Sequence, residues 1–135
     1  MRFSLTVSGR LRRFQGEYAM FEMNFTVEAW GRSVLLSGRL DARSAPDFEK
    51  AALAAADEHP GERLSMLLDF SGLEYISSAG LRSILVLAKR LSPSGGKVVL
   101  CGMSGVVEEV FGVSGFDSFL PVTKTREDAL RLVGA

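Results

Sequence analysis

The stretch LLDFSGLEYISSAGLRSILVLAKRL, residues 67–91, decides how this chain folds. An apolar run (Leu67, Leu68) reaches Asp69, Ser71 and Gly72 read as a turn, and Leu73, Tyr75 and Ile76 form a second short run. Beyond Ser77, Ser78, Ala79 and Gly80, the residues Leu81, Ile84, Leu85, Ala88 and Leu91 recur at the spacing of one helix face. A strand therefore hands over to a helix, with Ser77 and Ser78 at the helix N-terminus. Small hydroxyl side chains suit that position because they accept hydrogen bonds from free backbone N–H groups. The same N–H groups and the helix dipole tolerate an anion. A serine exposed there takes a phosphate without breaking the fold, which points to a switch rather than a catalyst.

The regular pattern continues on both sides. Upstream, Phe25, Val27 and Ala29 alternate, Gly31 and Arg32 read as a turn, and Val34, Leu35 and Leu36 form a second strand. Gly38-Arg39-Leu40-Asp41 leaves that strand. Ser44 and Pro46 start a helix whose apolar face is Phe48, Ala51, Ala52 and Ala55, and Pro60-Gly61 stops it. Residues 64–70 read as a strand buried on both faces. Downstream, residues 93–96 form a turn, 97–101 a buried strand, 104–112 a short helix and 119–122 a last strand. Thr125 caps a final helix through Leu132, with Glu127 and Asp128 in its first turn. Strands alternating with helices imply an α/β domain with a mixed sheet of about four to five strands covered by about four helices. Residues 1–22 stand apart. Within the first twenty of them Arg2, Arg10, Arg12 and Arg13 face a single acid, Glu17, and Phe3, Leu5 and Val7 alternate like a strand that Gly9 ends. They read as an extension, either an extra strand, an arm or a non-native start, with residues 23–135 as the domain.

Composition excludes several functions. At 135 residues one domain is expected, and 47% hydrophobic against 24% charged residues fits an ordered globular chain. The formal net charge is zero, so no broad attraction to nucleic acid or anionic lipid is expected. No apolar run approaches the roughly 20 residues that a membrane span needs. Cys101 is the single cysteine and His59 the single histidine, so neither an intrachain disulfide nor the usual Cys/His zinc site can form. The lone cysteine suits a reducing cytoplasm, where it reads as a small buried apolar residue. His59, before Pro60, reads as a solvated helix-end residue. Catalytic motifs fail on inspection. Ser94-Gly95-Gly96-Lys97 lacks the first glycine of a phosphate-binding loop, and Val98 stands where that loop needs Ser or Thr. Ser78 lacks the glycine two positions earlier that a nucleophile elbow needs, because Ile76 stands there. Nothing places His59 beside Ser78 as a base. Phe111, Phe116 and Phe119 read as core. No catalytic residue, cofactor or metal is expected.

The run DFSGLEYISSAGL, residues 69–81, closely resembles the signature of the STAS domain as found in bacterial anti-sigma factor antagonists. Gly38-Arg39-Leu40-Asp41 looks like that family's Gly-x-Leu-Asp before its first helix. Lys97-Val98-Val99-Leu100, then Val107 and Phe111, then Ser114-Gly115-Phe116, look like its second half. The resemblance covers roughly residues 23–133 and leaves 1–22 outside. It implies a protein-binding phospho-switch, cytoplasmic and not an enzyme. The unphosphorylated antagonist binds an anti-sigma factor that is itself a serine kinase, phosphorylation ends the binding, and a serine phosphatase resets it. Ser78 occupies the family's phosphoacceptor position. Ser77 stands where many members carry Asp, and Ala79 where many carry a second hydroxyl. Gly80, without a side chain, would let another backbone approach. Asp41, Ser77, Ala79, Gly80, Leu81 and Arg82 are the implied partner-binding residues, with Asp41 equally able to serve as a turn or cap. The resemblance implies neither direct nucleic-acid binding nor membrane insertion, and a homodimer is among the states it allows. The alternative is a constitutive STAS scaffold, a subunit of a lipid-transport ABC complex or of a stress-sensing assembly, in which Ser78 is only a contact.

Overall fold

The computed structural model describes residues 5–13, 20–57 and 63–134, with side chains from residue 21 onward. Twelve-residue β4 (Ser65–Ile76) is the spine. Its parallel neighbours are β3 (Gly31–Leu40) on one side and β5 (Val98–Cys101) on the other, and β6 (Val122–Thr123) adds to β5 in parallel. β2 (Met20–Glu28) pairs antiparallel with β3, and β1 (Leu5–Arg13) antiparallel with β2. The spatial order follows the chain order in a six-stranded mixed sheet. Helices α1 (Ala45–Asp57), α2 (Ser78–Leu91), α3 (Gly105–Ser114) and α4 (Arg126–Val133) make the connections and the close, which is the α/β architecture expected.

Alternation decides which helix covers which face. Phe21, Met23, Val34, Leu36, Met66, Leu68, Phe70, Val98 and Leu100 point to one side. There Phe48 and Ala52 of α1, Ile84 and Leu87 of α2, and Val107 and Phe111 of α3 pack on them. Leu67, Val99 and Cys101 point to the other side, under Ala129 and Val133 of α4. The first half of β4 is thus buried on both faces, as its unbroken apolar run requires.

Several expectations are corrected. The Ser71-Gly72 turn is absent. β4 runs straight through it, with the register against β3 slipping between Leu35/Ser37 and again between Gly38/Arg39, each slip adding a residue to β4. The turn residues serve a bulge instead, and Asp69 Oδ1 accepts the Ser71 N–H at 2.9 Å, satisfying a donor taken out of the ladder. The β2–β3 turn is Ala29-Trp30 rather than Gly31-Arg32, since Glu28 already pairs with Gly31. β3 continues through Leu40 rather than ending before Gly38. Gly9 does not end β1, which runs on to Arg13. The last strand is only Val122–Thr123, because Phe116–Ser118 form a 3-10 turn. Phe111 is buried and Phe116 packs against the core, but Phe119 is 75% exposed and not core. His59 lies outside the described residues. Among the described residues no helix is long and apolar enough to cross a membrane, and no cluster of His, Cys, Asp and Glu could hold a metal ion.

Candidate functional site

The site forms where β3 and β4 end together. Leu40 pairs with Ile76, and the Leu40 carbonyl then accepts the Ser77 N–H at 2.9 Å, so sheet pairing continues to the first residue before α2. Ser77 has extended backbone (φ −100°, ψ 173°) and is the N-cap; its Oγ accepts the Gly80 N–H at 3.4 Å. Capping consumes Ser77, and Ser78 at the first helical position stands exposed. The two serines, equivalent in composition, are separated by geometry into a cap and a surface hydroxyl.

Asp41 arrives on the same edge, one residue beyond Leu40. Its Oδ1 accepts the backbone N–H groups of Arg43 at 3.0 Å and Ser44 at 3.2 Å, while its own N–H donates to Ser44 Oγ at 3.0 Å. Ser44 Oγ donates back to the Arg39 carbonyl at 2.8 Å. Asp41 is therefore the reciprocal cap of α1. Arg39 lies 4.0 Å from Asp41 Oδ2 and stacks over Tyr75 at 4.2 Å from the ring centre, so the loop is braced on both sides.

Of the residues assigned to a partner, two have nothing to present. Gly80 is buried, and a Cβ there would lie 2.7 Å from the Leu40 carbonyl oxygen and 2.9 Å from Leu40 Cγ and Ile76 Cγ1. The backbone that Gly80 admits is the chain's own. Leu81 is 4% exposed in the core beneath α2. Ala79 is partly exposed and Arg82 exposed, and both border a groove of about 510 Å³ between α1 and α2. Ala42, Ala45, Pro46, Glu49, Lys50 and Leu53 form its other walls, and the sequence reading assigned none of them to a site. Ser83 at the groove floor was also missed. It is 3% exposed, and its Oγ reaches the Ala79 carbonyl at 3.2 Å, Glu49 Oε2 at 3.3 Å and the Ala45 carbonyl at 3.4 Å. The available signal was a hydroxyl set on the apolar face between Gly80 and Leu87.

On the opposite face Cys101 is 1% exposed. Burial pushes its thiol pKa up to about 11, and the Asp69 carboxylate adds to the rise. A thiol held protonated is no nucleophile.

Comparison with known proteins matches this geometry to a family. The model of the STAS domain matches residues 32–129. BtrV of Bordetella bronchiseptica, described provisionally as an anti-sigma factor antagonist, is 44% identical over 94 residues, covering 70% of this chain and 78% of that protein. The crystal structure of an anti-sigma factor antagonist from Mycobacterium paratuberculosis superposes with a TM-score of 0.74 at 23% identity, covering 90% of this chain and 100% of that one. The anti-sigma factor antagonist SpoIIAA superposes in its unphosphorylated form with a TM-score of 0.68 at 21% identity, covering 85% of this chain and 97% of that one. The Bacillus SpoIIAA structure in the phosphorylated form gives 0.60 at 21% identity, covering 84% and 98%. A mixed sheet with three helices on one face, an N-terminal serine pair on α2 and a family match across most of its length together have one reading: the chain belongs to the STAS domain family.

Proposed function

We propose that this protein is an anti-sigma factor antagonist that works by partner switching. The observation that carries the reading is the division of labour at the start of α2, where Ser77 is spent on the cap and Ser78 is exposed beside the α1–α2 groove. The relationship to BtrV supports the partner class. In this reading the unphosphorylated surface around Ser78, Ala79 and Arg82, with the Asp41 loop beside it, docks an anti-sigma factor and frees the sigma factor. That anti-sigma factor is also a serine kinase. The γ-phosphoryl group of its ATP passes to Ser78 Oγ, an Oγ–P bond replaces Oγ–H, ADP leaves and the proton goes to solvent. A serine phosphatase hydrolyses the ester and resets the surface.

Electrostatics favour this cycle over one that unfolds the domain. A phosphate adds about −1.5 to −2 charge at neutral pH. At an exposed helix N-terminus the dipole stabilises negative charge by roughly 0.3–1 kcal/mol. The intramolecular effect is small and slightly favourable, so the loss falls on the complex, where the same charge must be desolvated against a partner.

The test is mass spectrometry of the protein from its own host, with and without phosphatase, followed by reaction with its cognate anti-sigma factor and ATP. A phosphate mapped to Ser78 is expected. Ser78→Ala should retain the fold and bind permanently. Ser78→Asp should retain the fold and bind at least about tenfold more weakly, or roughly 1.4 kcal/mol. A Ser78 unmodified under all growth conditions and by the kinase would transfer the assignment to a constitutive STAS scaffold.

A further inference from the structure

We infer that Arg82 is the internal counter-ion of phosphorylated Ser78, so that phosphorylation withdraws a cation from the docking surface as well as adding an anion to it. The inference rests on the reading of Ser78 as phosphoacceptor. It begins with an anomaly among the arginines whose side chains are described. Arg32 donates to the Gly31 carbonyl, Arg39 pairs with Asp41, and Arg63 donates to the Gly95 carbonyl. Arg90 pairs with Asp57, Arg126 with Ser33 and Asp69, Arg131 with Asp128, and Arg43 also has a partner. Among the arginines with described side chains, Arg82 alone has no such partner. Its guanidinium is therefore available to an anion that the unmodified protein does not carry.

Position supplies the occupant. Ser78 and Arg82 are i and i+4 on α2, so their side chains are neighbours on one helix face. Both are exposed. A seryl phosphate extends toward the guanidinium, whose planar fork matches two phosphate oxygens. Nothing else at this end competes equally. Arg39 is held over Tyr75, Asp41 is held by the α1 cap, and Glu49 accepts from Ser83. Lys50 lies on α1, across the groove. Before phosphorylation Arg82 is a free cation at the groove mouth. Afterwards it is neutralised by its own helix, and a partner acid that used it has lost its contact.

The experiment installs phosphoserine at position 78 during synthesis of the full chain, so that no kinase is needed, and follows the 31P shift with pH. The second ionisation of phosphoserine has an ordinary midpoint near about 6. An adjacent cation favours the dianion and lowers it. The wild-type midpoint is expected about 0.5 pH unit or more below that of Arg82→Gln, with Arg82→Lys recovering part of the difference, while circular dichroism shows all three folded. The helix N-terminus acts alike in each, so the difference isolates residue 82. Equal midpoints would overturn the clamp and leave the phospho-switch standing. A kinase that ignores Ser78 would remove the switch and leave the titration result unaffected.

Discussion

Cys101 lies on β5 beneath Ala129 and Val133 of α4, and burial, reinforced by Asp69, raises its thiol from 9.0 to about 11. An acid whose pKa rises on folding keeps its proton in the native state where the unfolded chain gives it up. Below pH 9 both states are protonated and the thiol contributes nothing to the pH dependence. Between about pH 9 and 11 the unfolded state gains by ionising and stability falls, by on the order of 2–3 kcal/mol when the window is fully crossed. Urea unfolding at pH 8 and pH 10.5 should therefore show a larger loss for the wild type than for Cys101→Ala. The two proteins share every other side chain, so the difference isolates the thiol. Equal losses would mean that the thiol is wetter than its 1% exposure allows. The same scale explains why the site was only half legible. Adjacent serines before an apolar helix announce a cap and an anion-tolerant end, but the chain alone does not say which hydroxyl turns inward. That is decided by the extended backbone of Ser77, fixed by its N–H on the Leu40 carbonyl.

The elements show where sequence patterns mislead. Ser71-Gly72 has turn chemistry, yet β4 passes through it, because parallel pairing with β3 resumes at Ser37↔Gly72 and Gly38↔Leu73 after the bulge. Turn and bulge ask for the same residue types, and only the partner strand distinguishes them. Helices were more legible, since the apolar faces of α1 and α2 recur at period 3.6 and each helix buries against one wide sheet face. What periodicity could not convey is how closely α2 seats on β3. Gly80 is the contact, with no room for a methyl group beside the Leu40 carbonyl. Alanine in a helix is ordinarily about 1 kcal/mol better than glycine. Here the overlap is with backbone, and overpacking typically costs about 1–3 kcal/mol. Gly80→Ala should therefore destabilise the domain by up to roughly 2 kcal/mol net in urea unfolding, whereas Ser77→Ala, losing a long 3.4 Å cap bond, should cost about 0.5 kcal/mol. A stabilised Gly80→Ala protein would mean that α2 sits further from β3 and that the Ser78 end is looser than drawn.

Across the whole molecule the α/β class and most of the element order were legible because alternating periods of 2 and 3.6 are a property of the chain. The distribution of helices over the two faces was not, since alternation says that a strand has two sides without saying which helix each side meets. Three helices share one face, and α4, with Trp30 packed beside it, covers Leu67, Val99 and Cys101 on the other. At eight residues α4 is too short to persist by its own propensity, so its docking holds it helical. Part of that docking is Arg126, which donates to Ser33 Oγ at 2.6 Å and lies 4.0 Å from Asp69 Oδ2, joining α4 to β3 and β4 together. Removing it leaves a buried hydroxyl without its donor, a cost of about 1–3 kcal/mol that falls on α4 while the larger core on the other face is untouched. Because Cys101 is covered by α4, its modification reports that local opening directly. When opening and closing are fast, the rate tracks the open population. At pH 8 under native conditions, Arg126→Ala should raise the rate of Cys101 alkylation about tenfold, the equivalent of roughly 1.4 kcal/mol, while the amide protection of β3 and β4 changes little. If alkylation and amide protection instead move together, α4 opens only with the whole domain, and the two faces of the sheet form one cooperative unit.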